Sequence, residues 1–344
     1  MSGKYYAVAI LAILILLISS CSRSGAATGG APRTPFIGGT AGISINFEKD
    51  SPPPEVTDDG TFGFNSIIRL KNEGEFSVPK DKVKVNLIGF DPADFSVPSF
   101  DQIRDQKPDD DLNKKERDAE GNIVEGTTTY AQFPKDKSDF VPKKFPGNTP
   151  FTFRAEVCYN YQTQATTKLC ILRDMINIRD NSICRPTGVG TSSRPIYSSS
   201  APVQITNFRQ SVVGKDKISF SFDIVLSGNA DIFRDKFTGV TPSSGFDQAC
   251  PKDPKTRRER ENNVYVTLTE IPSDPIFTDV KCGGLDGGFA GVVRLINQRR
   301  TITCTADLIQ DRLDLEKNIG ITAEYNVLEN KETQILVKHL AQTS

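Results

Sequence analysis

Short runs in which apolar and polar residues alternate are the feature that most limits how this chain can fold. They include residues 62–78 (FGFNSIIRLKNEGEFSV), 151–173, 218–233 and 321–339. A period of two places every second side chain on the same face, so each run predicts a strand with one buried face. Asn, Gly and Pro residues that favour turns separate many of the runs. We therefore expect an all-β chain built from antiparallel strands.

The run at 151–173 (FTFRAEVCYNYQTQATTKLCILR) alternates on both sides of a polar centre. This pattern predicts a long β-hairpin whose turn is centred near Gln164. In that register Ala155 and Val157 lie on one face, and Cys158 and Cys170 lie together on the opposite face.

The second half of the chain repeats the pattern of the first. Residues 68–74 parallel 224–229, and the motif at 155–161 (AEVCYNY) parallels 323–327 (AEYNV). Repeats of short alternating strands predict two tandem immunoglobulin-like β-sandwiches.

The boundaries of these domains follow from composition. We assign residues 43–187 to the first immunoglobulin-like domain and residues 201–344 to the second. Residues 188–200, mostly small and polar, are the predicted linker.

The N-terminal segment carries an export signal. An apolar run from Ala7 to Ile18 follows the single cation Lys4 and is shorter than the roughly 20 residues that span a bilayer. It ends in Ile18-Ser19-Ser20-Cys21, which resembles the lipobox of prokaryotic lipoproteins. Residues 1–20 are therefore a predicted lipoprotein signal peptide, and Cys21 is the predicted lipidated residue.

Residues 21–42 consist mostly of Gly, Ala, Ser, Thr and Pro, which predicts a flexible tether. We expect the protein at the extracytoplasmic face of the cell membrane, held there by its lipid. An uncleaved single-pass anchor at the N-terminus is the alternative.

Several elements behind the lipobox resemble a group of archaeal envelope lipoproteins. They are residues 62–78, 118–126, 151–171 and 201–210, in this order. That group is built from immunoglobulin-like repeats akin to cell-adhesion-related domains. The chain departs from the usual pattern before Ala201, where Tyr197-Ser198-Ser199-Ser200 replaces Gly-Gly-Gln. The resemblance implies an immunoglobulin-like fold and an envelope location, and it carries no catalytic residues.

Six cysteines remain besides Cys21, and an even number in an exported chain indicates disulfides. Cys282 and Cys304 end two neighbouring predicted strands, so we expect them to pair. We also expect one bond within the cluster of Cys158, Cys170 and Cys184, and the predicted hairpin favours the Cys158–Cys170 pair. Cys184 and Cys250 then remain, either bonded to each other across the two domains or with one of them free.

The sequence gives little support to a metal or cofactor site. Asp109, Asp110 and Asp111 are weak calcium candidates because hard cations prefer clustered carboxylates. They lack the spacing of an EF-hand, so a solvated acidic loop is the simpler interpretation. The cysteines form no CxxC pair and have no nearby histidine, which argues against a tetrahedral zinc site. We predict no cofactor.

Composition also argues against catalysis and against nucleic-acid binding. The one histidine, His339, lies in the last predicted strand, where a histidine is more often a surface residue than a base. The 42 basic and 43 acidic residues nearly cancel, so no overall field attracts nucleic acid. The basic cluster at 255–260 has no interleaved aromatic residues for base stacking.

We therefore expect a non-enzymatic, membrane-anchored binding or adhesion module of the cell envelope, with a protein or glycan partner at the cell surface. One alternative is a structural subunit that self-associates in a surface assembly. Another is an extracytoplasmic enzyme that uses carboxylates.

Overall fold

Strands are the main regular structure of the described residues. The computed structural model describes residues 34–186, 194–235, 246–286 and 288–340. Within these ranges the strands are β1 (Ile43–Phe47), β2 (Glu55–Thr57), β3 (Ser66–Asn72), β4 (Val83–Ile88), β5 (Glu116–Arg117), β6 (Ile123–Val124), β7 (Thr128–Phe133), β8 (Thr149–Ile171), β9 (Ile196–Ser198), β10 (Val203–Gly214), β11 (Lys217–Leu226), β12 (Asp231–Phe233), β13 (Asn263–Leu268), β14 (Phe277–Cys282), β15 (Ala290–Arg294), β16 (Arg299–Leu308) and β17 (Leu315–Lys338).

Helical structure is short within the same ranges. One α-helix, α1 (Pro254–Arg260), begins after Asp253, whose side chain accepts a hydrogen bond from the Thr256 N–H. The remaining helical turns are of the 3₁₀ type, at Lys80–Lys82, Pro92–Phe95, Phe100–Ile103, Phe246–Gln248 and Ile271–Ser273. No helix in the described ranges is long and apolar enough to cross a membrane. The expected all-β chain of several antiparallel sheets is confirmed.

Two long strands form the centre of the fold. β8 spans 23 residues and pairs antiparallel with β17 along its whole length, from Thr149 opposite Val337 to Ile171 opposite Leu315. At about 3.3 Å per residue the paired segment is about 75 Å long.

The predicted hairpin at 151–173 is therefore wrong, because β8 runs straight through Gln164. The polar centre contains no Gly, Pro or Asn residue that would favour a tight turn. Alternate residues stay buried through this centre, including Tyr161, Thr163 and Ala165. Because β17 supplies backbone partners on both sides of the polar centre, neither part of the segment needs to pair with the other.

Three sheets contain most of the strands. The central sheet has the order β15-β13-β17-β8-β4, with β12 and β2 also paired to β17 and β9 paired to β8. The N-terminal sheet has the order β1-β3-β7, and the C-terminal sheet has the order β10-β11-β16-β14. Buried residues from all three sheets, such as Ile68, Val157, Phe222 and Ile321, belong to one continuous hydrophobic cluster.

The predicted domain boundary falls inside this arrangement. β8 lies before the boundary and β17 lies after it, yet the two strands share one ladder. Part of the predicted linker is also ordered, because β9 pairs with Ala165–Thr167 of β8. Residues 188–193 lie outside the described residues. The chain from Pro35 onward clusters as one compact unit.

Phenylalanines pack the end of the core beneath the N-terminal sheet. The rings of Phe90 and Phe153 stack with centroids 3.9 Å apart, and Phe95 meets Phe153 edge-on at 5.3 Å. Phe95 and Phe153 are fully buried. Each such ring pair adds about 0.5–1.5 kcal/mol beyond the area that it buries.

The end of the predicted tether is held against the body of the protein. The Glu75 carboxylate accepts hydrogen bonds from the backbone N–H groups of Ile37, Gly38 and Ser200, at 2.7–2.9 Å. The Ser200 hydroxyl also donates to the Ala41 carbonyl. Residues 35–42 are thus fixed by hydrogen bonds that composition alone does not reveal. The predicted signal peptide, Cys21 and residues 22–33 lie outside the described residues.

Candidate functional site

All six cysteines after Cys21 are paired in the structure. The predicted Cys282–Cys304 disulfide is present, with its cysteines directly opposite each other on β14 and β16. A bond within the cluster of Cys158, Cys170 and Cys184 is also present, but it joins Cys170 to Cys184. The favoured Cys158–Cys170 pair is wrong, because Cys158 bonds Cys250. The reason is that Cys158 and Cys170 lie 12 residues apart on the same straight strand.

The Cys158–Cys250 disulfide borders a cleft, which we call the disulfide cleft. This cleft has a volume of about 560 Å³ and lies between β4, the segment around Arg104 and the segment at 246–256. The disulfide fastens this last segment to the face of β8 that points away from the main core. A small second hydrophobic cluster, containing Phe233 and Leu328, packs beside the disulfide.

Charges in the disulfide cleft are largely paired with one another. Glu156 accepts hydrogen bonds from Lys252 at 2.9 Å and from Asn86 at 3.1 Å. Lys84 lies 3.7 Å from the Asp105 carboxylate. Because its cations and anions neutralise each other, the cleft offers no net charge to a ligand.

The second cleft, which we call the acidic cleft, has a different character. It has a volume of about 490 Å³ and lies between residues 40–44, the loop at 227–231 and residues 328–330 of β17. Three carboxylates line it, those of Glu73, Asp231 and Glu329, and the described lining contains no lysine or arginine. Asp231 is bonded to Arg257 at 2.7 Å, and Glu73 lies 4.0 Å from Lys71.

Glu329 is the most unusual residue of the acidic cleft. The Tyr159 hydroxyl, which is fully buried, donates a hydrogen bond to the Glu329 carboxylate at 2.9 Å. Burial raises the pKa of Glu329 above its ordinary value of 4.5, while the bond from Tyr159 partly opposes this shift. Burial also raises the pKa of the Tyr159 hydroxyl. No cation in the described residues lies within ion-pair distance of Glu329. The Tyr159 hydroxyl, which is neutral, is the side-chain partner of this carboxylate.

The single histidine forms a local clamp. His339 Nδ1 lies 2.7 Å from the buried Asp58 carboxylate, which also accepts from the backbone N–H groups of Phe145 and Leu340. The bond from the Phe145 N–H is the largest cause of the lowered Asp58 pKa, followed by the bond from His339. All of these contacts join the end of β17 to two loops, so the pair has a structural explanation.

The three aspartates proposed for calcium do not converge on a common point. Asp111 accepts a hydrogen bond from the Lys80 N–H at 2.8 Å, whereas Asp109 and Asp110 use their backbone N–H groups to bond Tyr130 and Thr129. The contacts of Asp111 anchor this loop to Lys80. Within the described ranges, no three His, Cys, Asp or Glu side chains are placed to hold a metal ion.

Sequence reasoning did not identify Glu329. A signal was present, because Glu329 continues the inward-facing series of Tyr325 and Val327 in an alternating run. An acidic residue at an inward position departs from the pattern of a buried face. The acidic cleft itself could not be recognised, since its three walls are brought together from segments about 100 residues or more apart.

No protein-family model matches the chain, and no curated protein is detectably similar to it.

Proposed function

We propose that this chain is an exported, lipid-anchored envelope protein that binds a protein or glycan at the cell surface without catalysing a reaction. The observation that carries the proposal is the pairing of all six cysteines after Cys21 into three disulfides. Such cross-links persist in oxidising compartments outside the cytoplasm. They agree with the export signal and lipobox of residues 1–21.

We also propose that the two halves are immunoglobulin-like units that have come to share one sheet. β4 pairs with the first half of β8, at Arg154–Tyr159, and β13 pairs with the first half of β17, at Ile321–Glu324. β8 and β17 run antiparallel. An approximate two-fold relation between the halves therefore supports a duplicated unit.

The acidic cleft is the surface that best supports binding. It combines a volume suited to a side chain or small group with the carboxylate of Glu329, the one of its three carboxylates that has no ion-pair partner among the described residues, and this carboxylate attracts a partner of the opposite sign. Its walls come from both halves of the chain and are backed by the buried Tyr159.

Site-specific photo-crosslinking in the intact envelope tests this function. A photo-reactive amino acid replaces Asn229, an exposed residue of the acidic cleft, and in a matched control it replaces Lys144, an exposed residue that does not line it. We expect an adduct with another envelope component from position 229 and none from position 144. The proposal fails if the two positions give the same products. An adduct of twice the chain's own mass would instead support the self-associating structural subunit.

The anchor is tested separately. A labelled fatty acid should enter the wild-type protein and should not enter the Cys21→Ser variant. Equal labelling of the two proteins would refute lipidation at Cys21, and absence of label from both would support an uncleaved anchor.

A further inference from the structure

One side of β17 lacks a partner strand over seven residues. On that side β12 pairs as far as Leu328, opposite Asp231, and β2 begins its pairing at Leu336, opposite Glu55. Between them, at 329–335, β17 pairs only with β8 among the described strands. We call these seven residues the open segment.

The hydrogen bonds at either end show which backbone groups face the unpaired side. The Gly320 carbonyl accepts from the Thr269 N–H, and the Leu336 N–H donates to the Pro54 carbonyl, both on the side away from β8. The pairing of β17 with β8 continues between these residues without a register shift. Backbone direction alternates along a strand, so even-numbered residues of the open segment face away from β8.

Three residues of the open segment turn their backbone groups away from β8: Asn330, Glu332 and Gln334. Each presents one N–H and one C=O on the unpaired side, and all three residues are exposed. No backbone hydrogen bond from the described part of the chain reaches these groups. Three donors and three acceptors therefore form a short template for another strand.

The open segment leads directly into the acidic cleft. Leu328, Glu329 and Asn330 line that cleft, and both Glu329 and Asn330 also belong to the open segment. Side chains of an added strand would alternate between the two faces of the sheet, and those on the inner face would lie beside the Glu329 carboxylate. A positively charged side chain at such a position would supply the ionic partner that Glu329 lacks among the described residues.

We propose that the open segment of β17 is a strand-addition site for an extended peptide segment of a partner protein, and that a lysine or arginine of this peptide enters the acidic cleft. Backbone hydrogen bonds to Asn330, Glu332 and Gln334 hold the peptide, while the cleft selects its charge. This inference deepens the proposed binding function and rests on it.

The length of the opening fixes the length of the peptide. Leu328 and Leu336 are eight residues apart along a regular strand, which corresponds to about 26 Å. β12 and β2 close the two ends, so the opening accommodates about five residues in extended conformation. Longer partners must bend away from the sheet at both ends.

Peptide titration of the purified full-length protein tests the site. The probe is a fluorescein-labelled peptide with the sequence Thr-Val-Lys-Val-Thr, and its matched control has Glu in place of Lys. Fluorescence anisotropy should show binding of the lysine peptide about tenfold tighter than that of the control, and Glu329→Gln should remove most of this difference.

Backbone recognition is tested with two N-methylated forms of the lysine peptide. One form is methylated at its odd-numbered residues and the other at its even-numbered residues. Since alternate N–H groups of an added strand face β17, only one of the two forms should lose binding. Gln334→Pro should also abolish binding, because it removes an N–H that points away from β8, whereas Gln334→Thr should preserve it. Circular dichroism shows whether each variant remains folded.

Specific results would overturn the inference. Equal affinity for the lysine and glutamate peptides would show that the acidic cleft does not select a positive charge. Equal binding of the two methylated forms would exclude strand addition. Peptide binding that requires deletion of residues 22–33 would assign the site to the chain's own N-terminal segment. A concentration-dependent dimer that Gln334→Pro dissociates would assign it to a second copy. None of these results affects the envelope crosslinking test, so failure of this site and failure of the proposed function are distinguishable.

Discussion

The disulfide pairing leads to a quantitative prediction about stability. Cys158 and Cys250 are separated by 92 residues along the chain, and Cys170 and Cys184 by 14. A cross-link stabilises mainly by reducing the entropy of the unfolded chain, and the reduction grows with the logarithm of the enclosed loop length. This relation gives about 4.6 kcal/mol for the longer loop and about 3 kcal/mol for the shorter one at 25 °C.

Two double variants isolate the effect of loop length. Replacing Cys158 and Cys250 by alanine should lower the free energy of unfolding by about 1.7 kcal/mol more than replacing Cys170 and Cys184 by alanine. Urea denaturation of the oxidised proteins, followed by circular dichroism, measures this difference. Non-reducing peptide mapping of the wild type confirms the pairing before the comparison.

The reasoning is refuted if the Cys170→Ala and Cys184→Ala double variant is the less stable of the two. It is also refuted if mapping of the wild type recovers a peptide that links Cys158 to Cys170. A matched Cys282→Ala and Cys304→Ala variant, which opens a loop of 22 residues, should fall between the other two.

Three further predictions concern buried charged groups. The pKa of Asp58 in the folded state is lowered, so the stability that its carboxylate contributes is present above pH 3.8 and is lost as the pH falls below that value. The difference in urea midpoint between the wild type and Asp58→Asn should therefore shrink in acid. A difference that stays constant with pH would contradict this prediction. The pKa of Glu329 is raised, so wild-type stability should decline as pH rises above 4.5, and Glu329→Gln should abolish that part of the decline in the same assay. The Arg312 guanidinium is fully buried and donates to the carbonyls of Leu172, Ile309 and Lys215 and to Asp216. Arg312→Met should therefore cost about 3–5 kcal/mol in urea denaturation, and a loss below about 1 kcal/mol would show that these bonds contribute little.

Local patterns in the sequence predict the strands well but not how they pair. Alternation places the inward residues of β8 correctly, from Phe153 to Ile171, because a sheet with one buried face imposes that period. The same alternation cannot distinguish one long strand from the two arms of a hairpin, since both bury the same residues. The partner of β8 lies more than 140 residues away, and no local signal specifies it.

The candidate site was less accessible to sequence reasoning than the fold. The predicted pairing of Cys282 with Cys304 succeeded because it depends on neighbouring strands. The acidic cleft depends on Gly42, Asn229 and Glu329, which meet only after the two halves have assembled. The open segment depends on where β12 and β2 end, and such boundaries are the least predictable part of a strand.

The ladder between β8 and β17 also has a consequence for the order of folding in a chain that is exported as proposed above. β8 is complete at Ile171, but its partner begins only at Leu315. In such a chain the edge of β8 that pairs with β17 stays without its partner until more than 140 further residues have arrived, although β4 and β9 can already pair with the other edge. Unpaired strand edges promote aggregation, so we expect chains truncated after residue 200 to precipitate or to bind chaperones. The arrival of β17 thus completes the ladder, and a pulse-labelled export assay should find protease resistance only in chains that include β17.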